Sequence, residues 1–306
     1  MTRSPDPARL AAPAAGRQQA LSGNAVCVGS MMLWAAGFPA AEMLLRTWST
    51  LALISARLLV AVLFLVAVWA VLDGPRVLAR ARWGRGLMVG SLGFGLGTWL
   101  LLVGQKLTDP VTVAIIASSS PIAAALIEVW RDGRRLTTHF AVGVAAAVAG
   151  GVVATGGGVP AEFGLGALAA VASCFLFAWG SHAAARDFPE LSVTGRATVT
   201  LAGGLVFAGA LYLGAVQLGF DSAPAAPVDA GQLGLLGIYA VCAMGLSQLL
   251  WIASVGRLGI GLASFHINVA PFYVMVIMLV LGAAWSWPQA IGAAIVGAGV
   301  VLAQRG

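Results

Sequence analysis

Apolar residues run along this chain in ten long blocks, and the polar residues collect between them instead of repeating at the period of a surface helix. The blocks fall at 24–42, 50–72, 86–105, 111–130, 138–156, 164–184, 193–218, 232–254, 258–282 and 288–303. A helix needs about 20 apolar residues to cross the hydrocarbon core of a bilayer. Inside lipid every backbone polar group must find a partner within the protein, which leaves helices and closed barrels as spanning structures. The pattern predicts an all-α integral membrane protein with ten transmembrane helices, spans 1 to 10. Residues 1–22, rich in Ala, Pro and Arg, read as a flexible tail. No short apolar core with a cleavage pattern precedes span 1.

Composition agrees: 60% of the 306 residues are hydrophobic, 9% are charged and mean hydropathy is +0.94. A soluble domain carries far more charge. The net charge of +6 invites a nucleic-acid reading, but the distribution of the charges removes it. With the N-terminus in the cytoplasm, the inner segments hold Arg3, Arg9, Arg17, Arg76, Arg80, Arg82, Arg85, Arg131, Arg134, Arg135, Arg186, Arg196, Arg257 and Arg305. Only Arg46 and Lys106 fall outside, with Arg57 within span 2. Cytoplasmic loops collect Lys and Arg during insertion, so both termini are expected inside a bacterial inner membrane. Charges spread over short loops form no groove-sized basic patch, and no nucleic-acid partner is expected. The lipid bilayer and a small-molecule substrate are the expected partners. A monomer is plausible, although the oligomeric state cannot be read from the chain.

The two halves echo each other. Leu33, Ala35, Gly37, Ala40 and Ala41 of span 1 match Leu176, Ala178, Gly180, Ala183 and Ala184 of span 6. Lys106 before span 4 matches Arg257 before span 9, and Pro121 matches Pro271. Gly151-Val152-Val153 recurs as Gly299-Val300-Val301. The order of the matches is kept, which predicts repeats at 23–158 and 159–306 forming one transport unit. Five spans in each make the second copy enter the membrane from the opposite side, an inverted arrangement that recurs in transporters. A duplicated scaffold without transport activity is the plainer alternative.

Trp34-Ala35-Ala36-Gly37-Phe38, Ala56-Arg57-Leu58-Leu59, the prolines of spans 4 and 9 and the glycine-rich ends of spans 5 and 10 resemble the drug/metabolite transporter superfamily, specifically its ten-helix EamA-type branch. Within it the chain is similar to bacterial inner-membrane exporters of aromatic and other amino acids. The resemblance implies export or facilitated passage of amino acids and related metabolites by alternating access.

Candidate site residues follow from chemistry at membrane depth. A proline within a helix removes one hydrogen bond and frees the carbonyl four residues earlier. Those carbonyls belong to Ala117 and Ile267, beside Ser118, Ser119 and Ser120 in one half and His266 and Asn268 in the other. Polar groups at both kinks suggest a substrate site, while hydroxyls that only satisfy kinked backbone are the plain alternative. On a regular helix His266 and Asn268 would lie about 200° apart. Ser264, Asn268 and Phe272 would then form one stripe, and His266, Ala270 and Tyr273 another. Aromatic walls are expected from Trp34, Trp99, Trp179, Trp251, Phe272 and Tyr273, completed by Ser247 and Gln248 of span 8. Trp48, Trp83, Trp130, Trp285 and Trp287 suit interfacial anchors.

Gly143, Ala147, Gly151 and Thr155 of span 5, and Gly93 and Gly97 of span 3, read as packing seams. Cys27, Cys174 and Cys242 lack ligand spacing and read as small core residues. Charge inside a span is rare, and Arg57 is close enough to the outer end of span 2 to snorkel or to pair with Glu42 in a structural or gating role. His139 and His182 sit near the cytoplasmic ends.

No carboxylate lies at mid-membrane, since Glu42 and Glu128 are toward opposite span ends. A facilitator, or a weakly proton-linked carrier using His266, is expected. No metal or cofactor motif appears. A carrier of other metabolites or drugs keeps the same mechanism. An intramembrane hydrolase using a serine with His266 or His182 lacks any Gly-x-Ser-x-Gly elbow or His-Glu-x-x-His motif, and no catalytic residue is assigned.

Overall fold

A computed structural model describes residues 7–133, 137–154, 161–220, 227–258 and 265–304. Every regular element among them is helical. Helix α1 covers Pro7–Leu44, α2 Thr50–Asp73 and the short α3 Pro75–Arg80. Helix α4 covers Trp83–Leu107 and contains a π-helical stretch at Ser91–Leu96. Span 4 is divided into α5, Pro110–Ser118, and α6, Ser120–Asp132. Then come α7, Thr138–Ala154, α8, Ala161–Asp187, and α9, Val193–Gln217. Helix α10 covers 230–258 with a π-helical stretch at Ile238–Leu246. A 3-10 turn at Phe265–Val269 leads into α11, Ala270–Val280, and α12 is Trp287–Gln304.

The ten predicted spans all correspond to helix: seven are long and apolar enough to cross a membrane, and Thr138–Ala154, His266–Val280 and Trp287–Ala303 are shorter apolar helices. Residues 7–22, expected as a tail, instead continue α1. Their Ala, Leu, Arg and Gln are strong helix formers. Thr155, Gly156, Arg134, Arg135, Ser264 and Arg305 lie outside the described residues.

Apolar side chains cover the outside as well as the core. Leu63, Val148, Leu168 and Leu213 are each 62–64% exposed, which in water would be a sticky surface and in lipid is a solvated one. The loops gather at two ends. At one, Asp73 accepts a hydrogen bond from the Ser192 hydroxyl, and Arg85 pairs with Asp187 at 2.8 Å. At the other, Trp48 donates to Gln232 at 2.9 Å, and Gln289 donates to Asp109 at 3.0 Å. Spans joined by these loops therefore alternate in direction, as a multi-pass membrane protein requires.

Helix packing is nearly unchanged when each span is exchanged for the one five places later. Helix α4 packs on α8 and α9; its counterpart α10 packs on α1 and α2. Helix α6 meets α8 as α11 meets α1, while α2–α9, α5–α11 and α7–α12 pair across the halves. Single residues follow the same rule. Gly93 faces Gly180 and Gly37 faces Ala243, while Gly95 lies against Phe207 and Gly245 against Phe64. Ser49 and Ser192, at equivalent places, each cap the next helix by accepting a backbone N–H at 3.1 Å.

The tightest seam joins α7 to α12. A Cβ on Gly299 would come within 2.7 Å of the Gly143 carbonyl oxygen, and one on Gly292 within 2.5 Å of that of Gly150. Gly151 has open space around its Cβ direction, so the expected Gly143–Ala147–Gly151–Thr155 line is corrected to Gly143–Ala147–Gly150–Ala154. Steps of four, three and four keep residues on one face of a 3.6-residue helix, whereas steps of four alone drift around it. The repeat is corrected likewise: Gly150, rather than Gly151, is the equivalent of Gly299. Gly292→Ala is expected to destabilise the fold by about 1–3 kcal/mol through overpacking, while Gly151→Ala should be neutral or slightly stabilising. Melting of the two purified variants in detergent, compared with the parent, checks this.

Candidate functional site

Two backbone breaks organise the interior. Pro121 sits in the first turn of α6, and the break falls at Ser119, with φ −83 and ψ 0. Pro271 occupies the same place in α11, after the 3-10 turn. Spans 4 and 9 are thus each two short helical pieces, because proline ends the preceding hydrogen-bond ladder. A 3-10 turn rotates about 120° per residue. His266 and Asn268 therefore lie about 120° apart around the turn axis, closer than on a regular helix but still pointing in different directions.

The serines beside the first break spend their hydroxyls on it. Ser118, Ser119 and Ser120 donate to the carbonyls of Ile115, Ile116 and Ala117 at 2.7, 2.6 and 2.5 Å. The Ala117 carbonyl, freed by Pro121, is therefore satisfied locally. Beside the second break the opposite holds. Asn268 is 9% exposed, and among the described residues neither its amide nitrogen nor its oxygen has a hydrogen-bond partner; the buried Nδ1 of His266 has none either. Buried polar atoms are almost always paired, so the α11 break, unlike the first, keeps unused hydrogen-bonding capacity.

Nearer the end formed by the 44–50 and 107–110 turns, Trp34, Gly37, Phe38, Arg57, Leu101, Leu102, Gln105 and Tyr239 line a cavity of about 20 Å³. That is enough for about one water molecule. Arg57 is 7% exposed. Its Nη1 donates to the Tyr239 hydroxyl at 2.9 Å, and the guanidinium carbon lies 3.9 Å from the centre of the tyrosine ring. Gln105 donates from Nε2 to the Phe38 carbonyl at 2.8 Å. Trp34 meets Phe38 edge-on at 5.3 Å. Phe38 belongs to, and Trp34 packs against, the core cluster on which Phe272 and Tyr273 also pack, so the aromatic wall of the Arg57 cavity is continuous with the core beside α11.

The other expected residues scatter. Trp99 packs on the second core cluster with Tyr239 and Leu102. Ser247 is buried in the α1–α10 seam, where its carbonyl accepts from Ser30 at 2.7 Å, and its hydroxyl donates to Ala243. Gln248 is exposed, and Trp179 and Trp251 are half-buried on α8 and α10 without entering the cavity. Arg57 bonds Tyr239, and the half-exposed Glu42 forms no ion pair with it. Of the expected anchors, Trp130 and Trp287 are 70% and 69% exposed, but Trp48 is buried. Cys27 and Cys174 are buried free thiols.

Tyr239, Gln105 and Phe38 were absent from the expected site. A glutamine in the last turn of an apolar span, and a tyrosine in a chain with only 3, were the available signals. A wider recess of about 390 Å³ at the opposite end, lined by Arg131, His182, Ala183, Arg186 and Asp187, lies among charged loops.

A helical, multi-pass architecture with polar groups buried among its spans defines a multi-pass membrane protein. Residues 21–156 match the model of the EamA-like transporter family. A crystal structure with 22% sequence identity aligns at a TM-score of 0.66, covering 93% of this chain and 97% of that one; at that identity the likeness shows the fold alone. No curated protein matches the chain.

Asn268→Leu removes two unpartnered buried polar atoms, each costing about 1–3 kcal/mol when unsatisfied. The variant is expected to melt at or above the parent temperature while transport falls at least about tenfold. Melting and flux measured on the same preparation check both halves, and a stable variant with full flux would take Asn268 out of the site.

Proposed function

We propose that this protein exports, or passes down their gradient, amino acids (aromatic and others) and related small metabolites across the bacterial inner membrane, with both termini in the cytoplasm. The repeats at 23–158 and 159–306 rock against each other about the interior bounded by α1, α4, α5, α8, α10 and α11. The observation that carries this reading is the unpartnered Asn268 and His266 at a helix break, with a second polar cavity at Arg57 walled by Trp34 and Phe38. Aromatic walls with a few polar groups suit solutes with a bulky, partly apolar side chain.

The 20 Å³ cavity is far too small for an amino acid, and small-molecule sites run to hundreds of Å³. The conformation is therefore read as closed at the Arg57 end. Solute passage requires the α1–α10 and α4–α8 seams to shift, with the Ser30–Ser247 hydrogen bond and the Phe94–Phe177 contact rearranging as they do. The candidate substrate contacts are Trp34, Trp99, Ser118, Ser119, Trp179, Ser247, Gln248, Trp251, His266, Asn268, Phe272 and Tyr273, with Arg57, Glu42, Pro121 and Pro271 in structural or gating roles.

Among the residues lining the cavity there is no carboxylate to carry a proton. Either solute follows its own gradient, or His266 supplies weak proton linkage. Labelled amino acids in proteoliposomes, with and without a pH gradient, test both. Flux without strong concentration is expected. Strong proton-driven accumulation that survives His266→Ala would overturn both forms of the mechanism.

A further inference from the structure

Arg57 is a buried cation, and among the described residues no carboxylate lies within 4.0 Å of it. Arg82 with Glu190 and Arg85 with Asp187 form ion pairs at the opposite end of the molecule. Placing an unpaired charge away from water is costly at membrane depth, and such residues face cavities or partners. What the protein offers instead is weak: the ring face and hydroxyl of Tyr239. A cation over a tyrosine ring recovers only part of the lost solvation.

The way Arg57 is held decides which edge remains. Its bond to Tyr239 uses Nη1. The Nε atom is buried and has no partner, and it shares with Nη2 the edge that takes two carboxylate oxygens side by side. Tyr239 fixes the plane of the guanidinium, and Gln105 is held on the Phe38 carbonyl in the same cavity wall. Tyr239 lies in the π-helical stretch of α10, a local widening that often accompanies functional sites.

We propose that the Nε–Nη2 edge of Arg57 is the recognition site for a carboxylate monoanion on the transported solute. This deepens the transport reading and rests on it for the identity of the solute, though not for the chemistry of the site. In the closed conformation the cavity accommodates about one water. Displacement of the Trp34–Phe38 pair, which forms the wall toward α11, admits the carboxylate while the rest of the solute remains between the halves. The carboxylate supplies the charge that the chain omits, and the bidentate geometry favours it over a neutral amide of the same shape.

The test uses matched acid and amide probes on the full chain in detergent: L-phenylalanine with L-phenylalanine amide, and benzoate with benzamide. Binding is read from melting temperature and tryptophan fluorescence. The acids are expected to bind at least about tenfold more tightly than their amides. Arg57→Gln should abolish the difference, Arg57→Lys should keep part of it, and Tyr239→Phe should weaken acid binding while preserving the preference.

Equal binding of acids and amides by the parent protein overturns the proposal without any variant. So does a lack of response to every acid, or an acid preference retained in folded Arg57→Gln. Benzoate binding without phenylalanine binding would uphold the anion site and sink the amino-acid assignment. Phenylalanine transport with no preference over its amide would do the reverse.

Discussion

Contact between bare backbones at Gly143–Gly299 and Gly150–Gly292 is the constraint on which the rest of this architecture depends. Lipid tails are as apolar as leucine, so burying more leucine brings no helices together. Association has to come from close van der Waals approach, and that needs positions without a side chain. The chain supplies them in symmetric pairs: a contact in one half has its counterpart in the other, as Gly95–Phe207 has Gly245–Phe64. Glycine approaches of this kind hold α7 to α12, α1 to α10 and α4 to α8, the last also carrying the Phe94–Phe177 ring contact.

Irregularity is concentrated where the two halves need to differ from ideal helix. Proline breaks and π-helical stretches occur at equivalent positions in both copies, but they are satisfied differently. At Ser118 to Ser120 the hydroxyls close the break. At the other break stand Asn268 and His266, whose polar atoms are left over. The same backbone device thus makes a quiet joint in one half and a polar site in the other.

Much of the fold was legible in the sequence because lipid reduces it to length and hydropathy. Ten apolar blocks gave ten helical spans, and basic residues marked the loops that gather at one end. Register was less legible. Gly151 and Gly150 are adjacent glycines, and only the facing helix decides which is buried. The site was read in outline. Pro121, Pro271 and Asn268 announced themselves as polar or helix-breaking residues within apolar runs. Gln248 and Trp179 did too, yet they do not line the Arg57 cavity, since rotation about a helix axis is set by neighbours that a single sequence does not name. Tyr239 was missed for the same reason: its role exists only through Arg57, 182 positions away.

The repeat also shows where symmetry stops. Exchanging the halves places Thr200 where Arg57 stands, Val89 at Tyr239, Ser181 at Phe38 and Val255 at Gln105. Backbone packing is close to interchangeable, so opening at one end and closing at the other are comparable in seam energy. Side-chain chemistry is not interchangeable. Among the described residues only one end carries a buried cation, stacked on an aromatic ring and short of an acceptor. In the proposed cycle a symmetric scaffold with an asymmetric polar lining distinguishes the two faces of the membrane, because Arg57 and Asn268 sit in different surroundings. In that cycle the scaffold supplies the motion, and these few side chains determine which solute the motion carries.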